Sequence, residues 1–412
     1  MNEINSSWRC GKVGDICEPR KGKIDPKKEP SQKYIALEHI HQQTGRLLGV
    51  GDSKETTSIK AIFKAEDVLF GKLRPYLRKY WFAEFDGVCA TEILPVVAKN
   101  GTDRKFLYYI FQQDKFIDYL DQKSFGTKMP RTSWKDISEY DILIPSLSEQ
   151  QKIADILTSV DNAISKTQAI IEQTGKVKKG LMQKLLTKGI GHTKFKQTEV
   201  GEIPEEWRVE SDFIKIKSGY GFNLSEYADE GVPLIRINNV KHGELDFDDI
   251  KFLPETYLES YHQFVLNEND LILALNRPIT QKRLKIAKIS KQQLPAILYQ
   301  RLGKLLMDNS KYNQDYIYYY LQSEKFLEQL SATFVGSDQP FIKTSEFAKL
   351  RFSIPPIEEQ NKIVDIFNSV FNKMQSEYTK LNHLHVLKKG LMQVLLTGKV
   401  RVKIDDHEAV TT

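Results

Sequence analysis

The stretch KKGLMQKLLT at residues 178–187 returns as KKGLMQVLLT at residues 388–397, with nine of ten positions identical. The same offset of 210 residues aligns IPSLSEQQKIADI with IPPIEEQNKIVDI. Trp8 and Trp207 match at a shorter offset of 199, so the second copy has gained about eleven residues in its middle, where loops tolerate insertion. A repeat of this length predicts two halves with the same architecture.

A long helix is predicted downstream of each Ile-Pro element. Apolar side chains recur there every three or four positions, which keeps one stripe of a helix apolar. Ser146 and Glu149 have the spacing of a capping box at the first helix start. Two such helices, each about 60 Å long at 1.5 Å per residue, can bury their stripes against each other as an antiparallel, coiled-coil-like pair. The stripes are Ile153, Leu157, Val160, Ile164, Ile171, Leu181 and Leu185 in the first copy, and Ile363, Phe367, Val370, Met374, Leu381, Leu384, Leu391 and Leu395 in the second.

The residues upstream of each helix predict a globular domain. Short apolar runs such as DVLF, EILPVV and DLILAL, broken by Gly, Pro and Asp, are typical of strands. One helix is predicted in each copy, over 106–120 and 316–330. The predicted fold class is α+β, with two similar mixed α/β domains separated by two long antiparallel α-helices and a pseudo-two-fold internal repeat. The predicted boundaries are 1–145 for the first domain, 146–190 for the first long helix, 191–206 for a connector, 207–355 for the second domain, 356–398 for the second long helix and 399–412 for a C-terminal tail.

Composition and cysteine count narrow the class of protein. The 412 residues exceed what a single core usually organises, and 40% are hydrophobic, which is enough to build sizeable cores. No apolar run reaches the length of a membrane span and the opening MNEINSSWRC lacks a secretory pattern, so we expect a cytoplasmic protein without membrane association. Cys10, Cys17 and Cys89 form no C-x-x-C pair, so neither a disulfide framework nor a zinc site is predicted.

Basic residues are clustered in each half, although the net charge is only +6. LFGKLRPYLRK at residues 69–79 has four basic residues and no acid, and NRPITQKRLKIAKISK at 276–291 has six and none. Charge runs are usually solvated faces. Their recurrence at the same place in both copies favours DNA binding, because Arg and Lys neutralise phosphates, while Arg and Asn bridge base edges.

A second loop follows the aromatic helix in each half, as GTKMPRTSWKD from Gly126 and GSDQPFIKTSE from Gly336. Gly, small polar residues and then Pro describe a turn whose backbone can approach a phosphate closely, although an ordinary helix-to-strand connection has the same composition. The candidate DNA-binding residues of both halves are Lys21, Lys23, Lys72, Arg74, Arg78, Lys79, Thr127, Lys128, Arg131, Arg236, Asn238, Asn276, Arg277, Lys282, Arg283, Ser337, Gln339 and Lys343.

Other chemical readings of the sequence are weaker. The tyrosines of 106–120 and 316–330 permit base stacking, but their helical spacing favours core packing. Glu38, His39 and His41 lack a matching set in the second copy, so hydrogen-bonding roles are favoured over a metal site. The chain has no phosphate loop, dinucleotide fingerprint, H-E-x-x-H helix, nucleophile elbow or adenine-methylating Asn-Pro-Pro-Tyr tetrapeptide. The sequence therefore predicts neither a cofactor nor a catalytic site.

Taken over its whole length, the chain resembles the specificity (S) subunit of type I restriction-modification systems. The motifs that carry the resemblance are the Pro-x-x-x-Glu-Gln-x-Lys-Ile helix starts at Pro145 and Pro355, the KKGLMQ-x-LLT helix ends, and the connector GEIPEEW before Trp207. LFGKLRPY and VCATEILPV are also similar to the core of the family's recognition domains. The second copy has AILYQRLGKLL in place of VCATEILPV and keeps only its apolar strand character.

The resemblance implies that each globular domain is a target-recognition domain for one half of a bipartite, asymmetric DNA site. It implies three partners: double-stranded DNA, two methyltransferase (modification) subunits held by the helices, and ATP-dependent restriction subunits. It also implies that this chain is not an enzyme, because S-adenosylmethionine and the catalytic residues belong to the partner chains. Two other classes stay open at this point, a coiled-coil adaptor with protein ligands on both domains and a self-contained methyltransferase.

Overall fold

A computed structural model of the protein describes residues 8–124, 129–336 and 340–404. The chain divides into two compact units, of which the first contains the described residues up to 170 and from 377 onward, and the second contains residues 171–376. Each unit therefore combines one globular domain with the beginning of the long helix that follows it and the end of the other long helix.

Short strands and helices form the first domain, and a long helix follows it. One of these strands, β7 at Val68–Gly71, shows how the apolar runs of the sequence are used, because all four of its residues are buried. Val68 and Phe70 contribute to one hydrophobic cluster and Leu69 to another, so the strand is covered on both faces. The elements are β1 Arg9–Lys12, α1 Val13–Ile16, β2 Cys17–Pro19, β3 Lys23–Ile24, β4 Lys33–Ile35, β5 Gly51–Asp52, β6 Lys60–Phe63, β7 Val68–Gly71, β8 Tyr80–Phe82, β9 Gly87–Cys89, β10 Ile93–Ala98, α2 Arg104–Ile110, α3 Asp114–Lys123, α4 Trp134–Ser138, β11 Asp141–Ile144 and α5 Leu147–Lys188.

Two sheets organise the first domain. An antiparallel sheet has the order β2-β10-β7-β8, with Leu69 opposite Trp81. A second sheet has the order β3-β6-β9-β4-β5 and includes a parallel pair, in which Tyr34 of β4 lies opposite Val88 of β9. Strands β1 and β11 pair antiparallel and join the two ends of the domain.

The second domain repeats this arrangement. Its elements are β12 Phe195–Thr198, β13 Gly201–Pro204, β14 Arg208–Glu210, β15 Lys215–Ser218, β16 Val232–Ile235, β17 Lys251–Leu253, α6 Tyr257–Ser260, β18 Leu271–Ala274, β19 Ile279–Thr280, β20 Arg283–Leu284, β21 Ile286–Lys288, β22 Ile297–Leu298, β23 Leu302–Leu306, α7 Gln314–Tyr320, α8 Glu324–Ser331, α9 Thr344–Ala348 and β24 Phe352–Ile354, and the long helix α10 Ile357–Leu395 follows. An antiparallel sheet has the order β15-β23-β18-β21, and a further sheet, β17-β16-β22, contains the parallel pair with Leu234 opposite Ile297. Strands β14 and β24 pair as β1 and β11 do, so the predicted internal repeat is confirmed.

The aromatic stretch of each domain forms two helices, so the prediction of a single helix over 106–120 and over 316–330 is wrong. Helix α2 ends before α3 begins, and α7 ends before α8 begins. In the second domain Ser323 explains the break, because its hydroxyl accepts the backbone N–H of Phe326 and caps the start of α8. The core packing predicted for the tyrosines is confirmed, since Tyr109, Tyr316 and Tyr320 are buried.

The long helices α5 and α10 begin directly after their proline elements, as predicted. In the first unit Ile153 and Leu157, near the start of α5, share a hydrophobic cluster with Leu395 at the end of α10. In the second unit Ile363 and Phe367, near the start of α10, share one with Leu185 at the end of α5. The start of one helix thus packs with the end of the other, which confirms the antiparallel arrangement. No described helix combines the length and the apolar character that crossing a bilayer requires.

A buried carboxylate fastens the first domain to the helix ends. Trp8 donates its indole N–H to Glu149 at 3.0 Å, and the Arg401 guanidinium lies 2.6 Å from the other carboxylate oxygen. At the predicted capping box the N–H of Glu149 donates to Ser146 Oγ at 3.3 Å, and the Ser146 hydroxyl lies 3.4 Å from the Glu149 carboxylate, which Trp8 and Arg401 also hold.

The second unit contains the matching junction around Glu359. Its carboxylate accepts the indole N–H of Trp207 at 2.9 Å and the backbone N–H of Ile190 at 2.9 Å, and it lies 3.0 Å from His192. Gly189, with φ of 63°, ends the preceding helix there, and a Cβ on it would come within 2.9 Å of the Trp207 ring.

Candidate nucleic-acid interface

The basic segment of the first domain is a tight loop after β7. Gly71 donates its N–H to the carbonyl of Lys79 at 2.8 Å, which closes the loop. Pro75–Leu77 forms a single 3-10 turn, flanked by Arg74 and Arg78 with left-handed φ values of 51° and 52°. Pro75 is buried and Arg74 is exposed, so the loop is anchored by its proline and presents Arg74 to solvent.

The second predicted loop lies against this one. Arg74 donates its backbone N–H to the carbonyl of Pro130 at 2.7 Å, and Thr132 donates to the carbonyl of Lys72 at 3.0 Å. The two loops proposed from the sequence of the first domain are therefore neighbours, although about fifty residues of chain separate them.

A tight turn completes the arrangement. Ile93 donates its N–H to the carbonyl of Ala90 at 2.9 Å, which forms the turn before β10, and Lys72 donates to the carbonyl of Glu92 at 2.8 Å. Three stretches of backbone thus lie side by side. We call this arrangement the three-segment frame, and in the first domain it consists of residues 72–74, 90–93 and 130–132.

The second domain has the same three-segment frame. Leu275 donates its N–H to the carbonyl of Arg301 at 3.0 Å and accepts the N–H of Ile342 at 2.8 Å. Arg277 donates to the carbonyl of Pro340 at 2.7 Å, the distance found between Arg74 and Pro130. The segments of the second frame are residues 275–277, 299–302 and 340–342.

Both frames hold an arginine in an unusual conformation. Arg277 has φ of 45°, as Arg74 has 51°, and both side chains are exposed. The left-handed region costs an L residue about 1–2 kcal/mol, and backbone strain of this kind concentrates at functional sites. Each domain therefore presents an arginine from the same backbone position, at the same conformational cost.

The first frame also contains an acid–base pair that the sequence analysis missed. Glu92 lies 3.0 Å from Arg131. In the second frame the corresponding backbone positions are occupied by Arg301 and Phe341. A cation thus stands in place of the carboxylate, and an aromatic ring stands in place of the guanidinium. The candidates from the sequence included Arg131 but neither turn residue, because VCATEILPV and AILYQRLGKLL share only strand character. An alignment of the two copies through this turn would have revealed the exchange of charge.

Several predicted residues of the first domain contact other parts of the protein. Arg78 pairs with Asp114 at 2.6 Å, and Lys79 donates to the carbonyl of Leu37. Partial burial lowers the pKa of Lys79. Lys21 and Lys23 are exposed at the edge strand β3. Arg78 and Lys79 are thus held by the protein's own groups, whereas Lys21 and Lys23 are exposed to solvent.

The remaining candidates of the second domain are divided between residues with partners inside the protein and exposed residues. Arg236 pairs with Asp249 at 3.0 Å, and Arg283 donates to the carbonyl of His242 at 3.0 Å. Lys282 is exposed in the turn between β19 and β20, the hairpin that stands where the first domain has its 3-10 turn. Asn238 is exposed in the turn after β16, and Lys343 is exposed before α9.

The frames bring together some of the predicted residues but not all. Thr127, Lys128, Ser337 and Gln339 lie outside the described residues. The predicted residues that belong to the frames are Lys72, Arg74, Arg131, Asn276 and Arg277.

A cleft of about 1200 Å³ lies within the first unit, lined by the domain and by the helix ends. One ion pair in its lining joins Lys388 to Asp161 at 2.7 Å, and Asp161 also accepts the hydroxyl of Tyr109 at 2.9 Å. Burial raises the pKa of Tyr109 and of Tyr108, so both phenols are neutral at physiological pH. These contacts hold the domain against the helices.

The thiols and metal-binding side chains offer little reactive chemistry. Burial raises the pKa of Cys17 and of Cys89 to about 12, so neither is a thiolate nucleophile near neutral pH. Over residues 8–124, 129–336 and 340–404, the His, Cys, Asp and Glu side chains form no cluster of three or more that suits a metal ion.

Comparison with protein families gives a match over most of the chain. The family model described as "Type I restriction modification DNA specificity domain" matches residues 5–173 and 204–386. The type I restriction enzyme MjaVIII specificity subunit of Methanocaldococcus jannaschii is 32% identical over 417 residues, which cover 97% of this chain and 94% of that protein. The EcoKI specificity subunit of Escherichia coli is 21% identical over 213 residues, covering 50% of this chain and 45% of that protein.

Solved structures of similar fold include the S subunit of a type I restriction-modification system from M. genitalium, with a TM-score of 0.58 and 18% identity. That similarity covers 98% of each chain. A chain from a study of complex assembly and conformational transition of a type I R-M system has a TM-score of 0.57 and 18% identity, and the match covers 97% of this chain and all of that one. At this identity the two structures support the fold.

Proposed function

Because the chain belongs to the family of type I restriction-modification DNA specificity proteins, we propose that it reads a bipartite, asymmetric DNA sequence with one half-site for each domain. It is a specificity subunit with two recognition domains, the component of such systems that is not itself an enzyme. The observation that carries the proposal is the pair of three-segment frames, which the same backbone hydrogen bonds build in both domains.

The chemistry of each frame suits a DNA groove. An exposed arginine can donate two hydrogen bonds to O6 and N7 of guanine, and a backbone that is already fixed by several hydrogen bonds does not have to be ordered on binding. Arg74 and Arg277 stand at equivalent points, so both domains approach DNA in the same way. The side chains around them differ, which gives the two half-sites different sequences.

We further propose that α5 and α10 bind two methyltransferase (modification) subunits. ATP-dependent restriction subunits then bind to this assembly. Long helices of this protein carry exposed apolar side chains that their own partner helix leaves uncovered. Val386 is 72% exposed and Leu387 is 48% exposed on α10 of the first unit, and Val177 and Phe371 are exposed in the second. Apolar surface of this kind is typical of a protein interface. Because the proposed ligand is cellular DNA, we propose that the protein acts in the cytoplasm.

DNA binding is tested by titrating the full chain, alone and with modification subunits, into a pool of labelled duplexes at several salt concentrations. We expect affinity to fall steeply with salt, because phosphate contacts release counterions. Binding that is independent of salt, or absent in both preparations, would favour the adaptor class instead. Methyl transfer from S-adenosylmethionine by the chain alone would favour the self-contained methyltransferase.

The scaffolding proposal has its own test. The double variant Val386→Glu, Leu387→Glu places two charges on the exposed apolar surface, and we expect it to weaken co-purification with modification subunits. Asn382→Glu is the matched control, because it adds a charge at an exposed polar position of the same helix. Equal recovery of modification subunits with all three proteins would contradict this assignment.

A further inference from the structure

The two frames share a backbone and differ in side chains. The carbonyls of Glu92 and Arg301 accept equivalent hydrogen bonds, from Lys72 at 2.8 Å and from Leu275 at 3.0 Å. The turns that contain them are closed in the same way, at 2.9 Å between Ile93 and Ala90, and at 3.0 Å between the corresponding residues 302 and 299. Glu92 and Arg301 therefore occupy the same point of the three-segment frame.

The side chains at this shared point, Glu92 and Arg301, have opposite charges. The Glu92 side chain is 32% exposed and its carboxylate lies 3.0 Å from Arg131, which is 56% exposed. Arg301 is also exposed, and the position that corresponds to Arg131 is occupied by Phe341. The first frame thus presents hydrogen-bond acceptors beside a cation, and the second presents a cation beside an aromatic ring.

Stability does not account for the Glu92–Arg131 pair. Ion pairs at this level of exposure contribute little to folding, because water screens the charges and the long side chains lose conformational freedom. Base recognition gives the pair a use: a carboxylate accepts from the exocyclic amino group of cytosine, whereas arginine donates to guanine.

We propose that Glu92 and Arg301 are specificity-determining residues, each selecting a base in the half-site of its own domain. Glu92 accepts a hydrogen bond from the amino group of a cytosine, with Arg131 positioning its carboxylate. Arg301 donates to a guanine in the other half-site. This inference rests on the DNA-reading function proposed above and adds the residues that make the two half-sites unlike.

The test is selection from duplexes that carry two randomised blocks, performed with the full chain assembled with its modification subunits. The variants are Glu92→Gln and Arg301→Gln, because the glutamine amide matches the acceptor and donor of adenine. Glu66→Gln is the matched control, since Glu66 forms a similarly exposed ion pair with Arg104 outside the frame. Thermal unfolding of all four proteins establishes that the variants fold.

We expect Glu92→Gln to change the preferred base at one position of one half-site, by roughly tenfold or more. Arg301→Gln should do the same in the other half-site, and Glu66→Gln should leave both unchanged. Unchanged preferences in both variants, or an equal loss of affinity for every sequence, would overturn the inference while leaving DNA recognition intact. A wild-type assembly that selects no sequence at all would overturn the proposed function as well.

Discussion

Arg277 donates its backbone N–H to the carbonyl of Pro340 at 2.7 Å, and Arg74 makes the same bond to Pro130 at the same distance. In each domain this bond joins a basic loop to a second loop far away in the sequence. The arginine in each domain has a left-handed φ and is exposed. The preservation of so specific a geometry in both halves is the main structural reason for assigning DNA reading to these loops.

Replacement of Arg277 by glycine should weaken DNA binding without lowering the stability of the fold. Glycine adopts a φ of 45° without the cost that arginine has there, so we expect Arg277→Gly to unfold at the same temperature as the wild type or slightly above it. Affinity for DNA should fall by about 1–3 kcal/mol, with relaxed specificity in one half-site. Calorimetry and duplex binding measure the two effects.

Asn269→Gly is the matched control for that variant, because Asn269 is another exposed residue of the second domain with a left-handed φ, of 69°. It changes the backbone in the same way and removes no arginine. Equal affinity of Arg277→Gly and Asn269→Gly for DNA would count against the assignment of Arg277.

The junction around Glu359 should be important for stability. Trp207 is fully buried, and Glu359→Ala leaves its indole N–H and the N–H of Ile190 without their acceptor. The expected loss is about 1–3 kcal/mol in the free energy of unfolding. The neighbouring Glu358 is exposed, so Glu358→Ala should change it by less than about 0.5 kcal/mol. Urea unfolding midpoints that coincide for the two variants would contradict the role of the junction.

Two matched glycines in the long helices should be replaceable with a gain in stability. A Cβ added at Gly180 or at Gly390 meets no other described atom within 4 Å. Because glycine loses more backbone freedom than alanine in a helix, Gly180→Ala and Gly390→Ala should each raise the free energy of unfolding by about 0.5–1 kcal/mol. A lower unfolding midpoint for either variant of the isolated chain would contradict this prediction, because it would mean that the space around that glycine is occupied.

Alkaline pH should weaken the fold through buried tyrosines. Burial raises the pKa of Tyr319 to about 12, and burial together with a hydrogen bond to Glu210 raises that of Tyr312 to about 12. A raised pKa means that the unfolded chain releases these protons first, at about pH 10. The stabilisation is therefore complete below about pH 10 and is lost as pH rises toward the folded value.

Thermal unfolding and tyrosinate absorbance, followed together across this range, measure the alkaline effect. Tyr319→Phe removes one of the responsible hydroxyls and should make the unfolding midpoint less dependent on pH. A midpoint that stays constant through the alkaline range, or that has the same pH dependence in Tyr319→Phe, would refute the explanation.

Much of the fold was predictable because the repeat and the helical stripes are local patterns. The starts of α5 and α10 follow from their prolines, and burial of Ile153 and Phe367 follows from the spacing of apolar residues. The break between α7 and α8 was missed because the apolar spacing continues through it. The capping hydroxyl of Ser323 decides it, and a single polar residue changes a periodic pattern very little.

The candidate interface was harder to predict, because backbone hydrogen bonds build it between distant segments. The basic loops and the Pro130 and Pro340 loops were recognised separately, but nothing in the sequence shows that they touch. Glu92 and Arg301 were not among the candidates from the sequence, because only the backbone hydrogen bonds of the folded protein show that they occupy the same point of the frame. The prediction of Arg78 as a DNA contact stays a prediction, and the sequence did not show that this residue pairs with Asp114.

The central claim, that two similar domains read two different half-sites, is tested most directly by sequencing the methylated bases in a genome modified by this chain and its modification subunits. We predict a split motif, with two specified blocks of unlike sequence separated by a gap of fixed length and free composition. A single continuous motif, or methylation without sequence preference, would contradict the account.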